Sequence, residues 1–419
     1  MYLGGRVGVV GKNADIFLSN EDEVLKAFGA IIEIFKKYGF RDNRNKNRLH
    51  FLLEAVGIEV MAKAIREKAG VDFATAGESM TKVDNYDADQ GKVQLRDGSF
   101  GVHVVVPSGI FSGSAMMEVA NLASTYGNGE IRLDMEQSLY ILGVKDTTSL
   151  LKEKFFESYK SKNTPYFNHL IACAGTEHCP FGVIENKNDA ISMATYLDEK
   201  VSLASGRVRM YWSACVKGCG IHGLGDIGFE GCKAKIDGQS VDGVNISIGG
   251  KLVREGCEGH TVIKSSPLKY ARYFVESLML EYQKLSNDKE SFESFYDRVL
   301  SNYTYQYIGF YMQLMAYIRA KNIDLILDID KVVNTGKNEE FEIFELGRKI
   351  YHFLTKEEPF TSYDRFTNKN KREKVKNLKK VLPNIDENLA DMLFKMLTVE
   401  DERAEVFSEL TSFIKFDTI

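Results

Sequence analysis

Apolar residues recur every three to four positions in several stretches of the chain, and this spacing predicts amphipathic helices. The first stretch covers residues 24–38, and a polar, basic turn separates it from a second predicted helix over residues 49–56, which Gly57 ends. We expect the first helix to bury one apolar face against the core. That face carries Leu25, Phe28, Ile31, Ile32 and Phe35.

The middle of the chain alternates between strand and helix patterns. Residues 102–107 predict a strand, residues 113–126 an amphipathic helix, and residues 130–144 a pair of strands. This β-α-β order is typical of half of a ferredoxin-like unit. After residue 286 helical periodicity dominates, and it predicts three helices: residues 303–318, 341–354 and 388–397.

The amino-acid composition limits the classes of protein to which this chain can belong. A chain of 419 residues with 44% hydrophobic residues has room for two or three domains with sizeable cores. The net charge of −5 favours neither nucleic acid nor a membrane surface as a partner, and no apolar run reaches the ~18 residues that a membrane span needs. One basic stretch, residues 369–380, indicates either an exposed helix face or a docking patch for an acidic partner.

Four cysteines form two close pairs, Cys173 with Cys179 and Cys215 with Cys219. Both pairs lie in short glycine-containing loops at the ends of apolar runs, where backbone N–H groups can point at anionic sulfur. Soft thiolates at such spacings are typical of zinc or of an iron–sulfur cluster. The first pair is wider than a structural zinc site prefers. A disulfide is disfavoured because no secretory signal opens the chain.

The sequence segments around these cysteine pairs resemble those of a known family. A C-x5-C pair is followed some forty residues later by C-x3-C and then by a G-x-x-D-I-G-F-x-G segment at residues 223–231. This order resembles the siroheme and [4Fe-4S] signature of the ferredoxin-type nitrite and sulfite reductases. Glu185 and Lys187, residues 101–109, and Arg132 with Gln137 are similar to the family pattern as well. The resemblance spans about residues 1–285.

The resemblance implies an α+β fold with a ferredoxin-like half-domain, a siroheme/4Fe-4S domain and a helical C-terminal appendage. It implies that Cys173, Cys179, Cys215 and Cys219 bind a [4Fe-4S] cluster and that Cys219 also bridges to the siroheme iron. The expected reaction is the six-electron reduction of nitrite to ammonia or of sulfite to sulfide, in the cytoplasm, with ferredoxin or a similar protein as electron donor. The expected domains are residues 1–68 (tail of a first repeat), 69–150 (half-domain), 151–285 (siroheme/4Fe-4S domain) and 286–419 (helical region).

A weak internal repeat complicates this expectation. The order of glycines, apolar run and amphipathic helix in residues 4–38 recurs in residues 249–282. Members of the family carry two repeats, and the basic side chains that hold siroheme and substrate come largely from the first, of which this chain has only the tail. The chain is then a truncated enzyme, one chain of a split enzyme with a companion that carries the first repeat, or a reduced relative with another role.

Several further residues are candidates beside the cysteines. Asp134 replaces a threonine that is usual in the family, and an unpaired acid disfavours an anionic cofactor nearby. In the family, the second copy of the pattern that contains Arg132 and Gln137 faces away from the cofactors, so the resemblance implies the same for these two residues. Lys217 could offset cluster charge or lie on a solvent-facing loop. His178 and His222 lie beside the cysteines and are candidates for a proton relay or a ligand. Arg41, Arg44 and Arg48 either face the cofactor cleft or are solvated surface.

Two classes of function remain open on the sequence. One is a reductase of nitrite or sulfite, with a slight preference for nitrite from the surroundings of Glu185 and Cys232. The other is a noncatalytic iron–sulfur or siroheme-binding subunit that passes electrons or assists assembly. A corrin-pathway oxygenase relative, which shares the cysteine motif, is a further alternative within the enzyme class.

Overall fold

The structure is a computed structural model of the chain. It describes residues 1–77, 91–204, 206–252, 256–323, 339–357, 359, 378–383, 385–398, 409–412 and 414, with the backbone alone at residues 45, 339–342 and 379–380. The chain divides into two compact units, Met1–Asp87 with Lys251–Glu258, and Ala88–Gly250 with Gly259–Ile419. None of the helices in the described ranges combines the length and the apolar character that crossing a bilayer requires.

In its described residues the first unit contains three α-helices and a small antiparallel sheet. Asn20 caps the first helix by accepting a hydrogen bond from the backbone N–H of Glu23 at 3.0 Å. Gly57, with φ of +83°, separates the second helix from the third, so the predicted helix over residues 49–56 is confirmed. The elements are β1 (Tyr2–Leu3), β2 (Lys12–Asn13), α1 (Glu21–Tyr38), α2 (Leu49–Val56) and α3 (Ile58–Ala69).

Helix α1 buries a face that overlaps the predicted stripe only in part. It contributes Ala27, Ala30 and Ile34 to the core of the unit, and Ile31 and Phe35 of the predicted stripe are partly buried against that core. The prediction was wrong for Leu25 and Phe28, which are 69% and 62% exposed, and for Ile32, which is exposed as well. Periodicity identifies an apolar stripe, but the packing of α1 against α3 decides which part of the stripe is covered.

The second unit begins with a four-stranded antiparallel sheet and one helix packed against it. The strands are β3 (Lys92–Gln94), β4 (Phe100–Val104), β5 (Ile131–Leu133) and β6 (Leu139–Val144), in the order β3-β4-β6-β5. Helix α4 (Gly113–Tyr126) is capped by Ser112 and buries Val119 and Ala123 in the core that it shares with this sheet. The predicted strand, helix and strand pair of the half-domain are confirmed.

A five-stranded mixed sheet forms the centre of the second unit. Its strands are β7 (Leu170–Ala172), β8 (Met210–Ser213), β9 (Ile227–Ile236), β10 (Gln239–Ile248) and β11 (His260–Pro267), in the order β11-β10-β9-β8-β7. Strands β7, β8 and β9 are parallel, and β9, β10 and β11 are antiparallel. Strand β8 is buried along its whole length, as is typical of an inner parallel strand. Trp212 of β8 stacks on Phe229 of β9, with ring centroids 3.8 Å apart.

Helices cover this sheet and continue to the end of the described chain. The short ones are α5 (Thr147–Leu150), α6 (Phe155–Ser158), α7 (Pro165–Asn168) and α8 (Gly175–His178). They are followed by α9 (Lys187–Lys200), α10 (Leu268–Leu285), α11 (Phe292–Arg298), α12 (Tyr305–Ala320), α13 (Glu339–Thr355), α14 (Leu378–Val381) and α15 (Glu387–Leu397). The three helices predicted after residue 286 correspond to α12, α13 and α15 and are confirmed.

One hydrophobic core joins the five-stranded sheet to the C-terminal helices. Helix α12 packs on α10 and β11, and α13 packs on α12 and α15. The core runs from Trp212 of the sheet through Tyr307 and Ile308 of α12 to Leu393 of α15. The basic stretch over residues 369–380 falls mostly outside the described residues, which include only residues 378–380 of it.

Candidate functional site

The four paired cysteines lie in two loops at one edge of the five-stranded sheet. Cys173 directly follows β7, and Cys215 follows β8 by two residues. The two strands are parallel neighbours, with Ala172 opposite Trp212, so their carboxyl ends meet at the same edge. The second cysteine of each pair lies farther along the same loop. The fold therefore brings the two cysteine loops together.

Backbone contacts hold these two loops against each other. The N–H of Cys173 donates to the carbonyl of Trp212 at 3.1 Å, and that of Val183 donates to the carbonyl of Ala214 at 2.9 Å. A Cβ atom added to Gly220 would lie 1.8 Å from the carbonyl oxygen of Trp212 and 3.2 Å from the nitrogen of Cys173. Only glycine therefore permits this approach beside the last cysteine of the second pair.

Two N–H donors point at the sulfur of Cys173. The backbone N–H of Ala214 lies 3.1 Å from it, and the side-chain amide nitrogen of Asn186 lies 3.3 Å from it. The same amide also donates to the carbonyls of Cys173 and Trp212, at 3.0 and 3.2 Å. Such donors stabilise negative charge on sulfur, whether in a thiolate or in a metal-bound ligand. Sequence reasoning missed Asn186, although it lies between the singled-out Glu185 and Lys187.

Lys187 supplies a cation beside the first cysteine. Its ammonium donates to the carbonyl of Ala172 at 3.1 Å and to that of Ser108. Burial lowers the pKa of Lys187, and the negative charge of the neighbouring Cys173 opposes that shift. The lysine therefore joins the end of β7 to the turn at Pro107–Gly109 that follows β4.

Asp134 organises the turn between β5 and β6. One carboxylate oxygen accepts hydrogen bonds from the backbone N–H groups of Glu136 and Ser138, both at 2.8 Å, and the other lies 3.0 Å from Nε2 of His103. Burial alone would raise the pKa of Asp134, but the hydrogen bonds from His103 and the backbone outweigh it and hold the pKa below its ordinary value. The acid that replaces the family's threonine is therefore paired.

The same turn contacts the first cysteine loop through Gln137. Its side-chain nitrogen donates to the carbonyl of Ala172 at 3.0 Å, and its oxygen accepts from the N–H of Ala172 at 2.9 Å. Gln137 therefore contacts the residue that precedes Cys173, because the turn between β5 and β6 lies against the end of β7. Arg132, its companion in the sequence pattern, lies exposed on β5.

A buried polar group lies behind this turn. The carboxylate of Glu136 accepts from the hydroxyl of Tyr211 at 2.5 Å and lies 2.6 Å from Nδ1 of His169. All three side chains are buried. They are far apart in the sequence, and no short motif contains them, so sequence reasoning missed this group. Hydrogen bonds to the carboxylate reduce the free-energy cost of burying its charge.

The other candidates have partners away from the cysteine sulfurs. The ammonium of Lys217 lies 4.4 Å from the ring centroid of Phe181, which ties the second cysteine loop to the first. His222 lies 3.3 Å from a carboxylate oxygen of Glu230. His178 is exposed, 3.8 Å from Glu177, as expected for a surface position.

The basic turn of the first unit has a structural explanation. Arg41 donates to the carbonyl of Phe35 at 3.1 Å, and so it satisfies the C-terminal end of α1. It also donates to the side chain of Asn47 at 3.1 Å. Arg44 and Arg48 are exposed. These side chains are therefore accessible to solvent, and Arg41 also supports the end of α1.

The donor set fits an iron–sulfur cluster. The four thiols form no disulfide: three are half-buried and Cys219 is exposed. Within the part of the chain that the structure describes, no three His, Cys, Asp or Glu side chains converge on one point as a single-ion site requires. A [4Fe-4S] cluster has several irons over which its four thiolates are distributed. The two facing loops, with N–H donors at the sulfur of Cys173, are compatible with thiolates that are distributed in this way.

The fit to siroheme is partial. The exposed position of Cys219 leaves its sulfur accessible to a second group. The carboxylates of siroheme need cations, however, and the two lysines beside the cysteines are already engaged. Lys187 donates to backbone carbonyls and Lys217 lies over Phe181. Lys187 is therefore a poor donor for a macrocycle, whereas Lys217 is exposed and is held, among the described residues, only by its contact with Phe181.

Comparison with known families matches two parts of the chain. Residues 1–73 match a family model described as "Nitrite and sulphite reductase 4Fe-4S domain", and residues 93–149 match one described as "Nitrite/Sulfite reductase ferredoxin-like half domain". The first of these segments contains no cysteine. The match to the 4Fe-4S domain thus does not include the two cysteine loops.

Curated relatives cover more of the chain. The ferredoxin–nitrite reductase of Synechococcus elongatus is 33% identical over 234 residues, which are 55% of this chain and 46% of the relative. The chloroplastic ferredoxin–nitrite reductase of Zea mays is 30% identical over 269 residues, 62% of this chain and 47% of the relative. The chain spans about half the length of the curated relatives that it matches.

A solved structure has a similar fold. The Mycobacterium tuberculosis NirA protein superimposes with a TM-score of 0.62 at 22% identity, over 71% of this chain and 56% of that chain. The half-domain sheet and the sheet that carries the cysteine loops are both present here. Residues 1–73 and 93–149 thus resemble two domains of the nitrite and sulphite reductases, and the chain is similar in sequence to part of the ferredoxin–nitrite reductases.

Proposed function

We propose that this chain is the cluster-binding part of a siroheme-dependent reductase that converts nitrite to ammonia with electrons from ferredoxin. The observation that carries the proposal is the meeting of two cysteine loops at the carboxyl ends of β7 and β8. Relatives named ferredoxin–nitrite reductase support nitrite over sulfite. We divide the chain into the tail of a first repeat (residues 1–68), a half-domain (69–150), the siroheme/4Fe-4S domain (151–285) and a helical region (286–419).

In this proposal Cys173, Cys179, Cys215 and Cys219 would hold a [4Fe-4S] cluster, and Cys219 would also be the residue in contact with siroheme. The two groups together would supply single electrons for the six-electron reduction of the substrate. The chain's own groups prepare the site. The N–H of Ala214 and the amide of Asn186 stabilise negative charge on the first sulfur.

The proposal assigns the cations for siroheme and substrate to another segment. Binding and protonating an anion requires guanidinium or ammonium donors directed at it. The two lysines beside the cysteines are engaged elsewhere, as described above. We propose that the first repeat, on the same longer protein or on a companion chain, supplies these donors.

The same engagement of the lysines favours one second candidate, a noncatalytic subunit. In that case the chain binds a cluster and passes electrons, and it contributes no substrate-binding cations. The two candidates differ in whether siroheme binds to the chain and whether nitrite is consumed.

The test is anaerobic purification and reconstitution with iron, sulfide and siroheme, followed by absorption spectra and metal analysis. We expect about four cluster irons for each chain, no zinc, and a siroheme band. Nitrite consumption with a chemically reduced electron donor then measures activity, with and without a protein that carries the first repeat.

Matched variants locate the site. Cys215→Ser removes a proposed ligand and Gly220→Ala forces the two loops apart, so both should lose most of the iron. Cys257→Ser, at an exposed cysteine outside the pairs, should retain it. A cluster without siroheme would favour the electron-transfer subunit. Zinc in place of iron, or equal iron in all variants, would contradict the proposed site.

A further inference from the structure

The turn between β5 and β6 reaches the first cysteine from a separate part of the fold. Its contact is a two-point clamp, in which the amide of Gln137 accepts from the N–H of Ala172 at 2.9 Å and donates to its carbonyl at 3.0 Å. Ala172 is the last residue of β7 and directly precedes Cys173. The clamp therefore fixes both polar groups of the residue from which the cysteine loop leaves the sheet.

The turn that carries Gln137 is itself held by three side chains from other parts of the fold, which are His103, His169 and Tyr211. Asp134 accepts two backbone hydrogen bonds from the turn and is paired with His103 of β4. Glu136 is buried, and Tyr211 of β8 and His169 beside β7 both lie within hydrogen-bond distance of its carboxylate. A side chain whose support is fixed in this way can hold a partner with little freedom.

The backbone of Gln137 has a conformation of raised energy, which the contacts of the clamp must offset. Its φ is +65°, a left-handed conformation that residues other than glycine and asparagine adopt rarely. Gly109 packs against it so closely that a Cβ atom added there would lie 3.1 Å from the Cβ of Gln137. Such strain persists where the surrounding contacts determine the conformation, and it is frequent at functional sites.

We propose that Gln137 is a positioning residue for Cys173. It acts on the sulfur through the peptide groups of Ala172, while the N–H of Cys173 is held by Trp212 at 3.1 Å. With both sides fixed, the Cβ of Cys173 keeps one direction, and its sulfur stays at the N–H of Ala214. The role toward a cluster rests on the proposed function. The effect on the Cys173 thiol does not.

Three variants of the full chain separate positioning from general stability. Gln137→Ala removes the clamp. Gln137→Gly removes it too, but glycine accepts the positive φ without strain, so it controls for backbone effects. Gln283→Ala is the matched control, because its amide also donates to a backbone carbonyl of another element, that of Ser202 at 2.7 Å, away from the cysteines.

The first measurement uses metal-free protein and does not depend on a cluster. Iodoacetamide alkylation of each cysteine is followed by peptide mass spectrometry, with the exposed Cys257 as the internal reference. We expect Cys173 to react several-fold more slowly in both Gln137 variants than in the parent chain or in Gln283→Ala, because its sulfur leaves the N–H donors that stabilise the reactive thiolate. Circular dichroism melting shows which variants retain the fold.

The second measurement uses the reconstituted protein and follows loss of cluster absorbance in the presence of an iron chelator. Loss about 10- to 100-fold faster in both Gln137 variants is expected, the range typical for removal of an outer partner of a metal ligand. Unchanged Cys173 alkylation in a folded Gln137→Gly protein would overturn the proposal. If the parent chain binds no cluster, the proposed function fails, and the alkylation result still decides the positioning role.

Discussion

Asp226 illustrates how a motif residue can be structural. It lies in the glycine-rich segment after the second cysteine pair, and its carboxylate accepts from the backbone N–H of Arg209 at 2.7 Å and from its guanidinium at 2.6 Å. Both side chains are 1% exposed. Arg209 also pairs with Glu293 at 2.5 Å. The motif is thus explained by a buried ion pair that joins the starts of β8 and β9, away from the cysteine edge.

Removing this carboxylate charge is expected to destabilise the fold strongly. Asp226→Asn leaves the buried guanidinium of Arg209 with Glu293 as its remaining carboxylate partner, and loss of one partner of a buried pair costs about 3–5 kcal/mol. Chemical denaturation measures the change. The control is Asp242→Asn, which breaks the exposed pair with Lys233 and should cost about 0–1 kcal/mol. Equal losses in both variants would contradict the structural role.

Asp134 predicts a specific dependence on pH. Its pKa is lowered in the folded protein, so the folded state favours the charged form. The resulting stabilisation is complete above the ordinary carboxyl pKa of 3.8 and is lost as the pH falls through the lower folded value. Asp134→Asn should therefore flatten the decline of the unfolding midpoint below about pH 4. Asp288→Asn, at an exposed position, should leave the decline unchanged.

At the scale of elements, local patterns predicted helices and strands well and faces poorly. Helix α2 ends at Gly57 as predicted, and α4 has the predicted bounds, because capping and glycine signals are local. Helix α1 is the exception in its orientation. Its buried residues are Ala27, Ala30 and Ile34, whereas the larger apolar side chains of Leu25 and Phe28 are exposed.

Truncations on the two faces of α1 test this assignment. Ile34→Ala, on the buried face, should cost about 2–5 kcal/mol of unfolding free energy, because it leaves a cavity. Phe28→Ala removes a larger side chain from the exposed face and should stay within about 0.5 kcal/mol. Denaturant unfolding of the two variants gives the comparison. A greater loss for Phe28→Ala would restore the face predicted from the sequence.

At the scale of the whole molecule, the C-terminal helices complete the core of the cysteine sheet. Tyr311 of α12 donates to Glu281 of α10 at 2.7 Å in a buried contact, and Ser277 of α10 donates to the carbonyl of Met312 at 2.9 Å. Helix α12 is buried along most of its length. The helical region therefore supports the sheet that positions the cysteines.

A chain that ends at residue 285 is expected to be insoluble or molten. It loses α12, so the apolar faces of α10 and β11 that pack on this helix become exposed. Expression yield, size-exclusion behaviour and thermal unfolding provide the measurement. A chain that ends at residue 414 is the control and should behave as the full chain does. A soluble, cooperatively unfolding 1–285 fragment would refute the shared core.

Some features of the candidate site could be predicted and others could not. The cysteines and Lys187 belong to short sequence motifs, so their chemistry was visible from the residues alone. The clamp from Gln137 to Ala172 and the group formed by Glu136 with Tyr211 join residues at least 35 positions apart. Nothing local marks such contacts, because they exist only when two sheets are packed together.

The sequence by itself determined the helices and strands, the glycine positions that end or bend them, and the two pairs of thiols. These depend on backbone preferences and side-chain chemistry within a few residues. Only the tertiary structure decided which face of α1 is buried, that Asp134 is paired with His103, and that the turn at Gln137 lies against the first cysteine loop. Those outcomes depend on which distant surfaces exclude water from each other, a property of the packed chain.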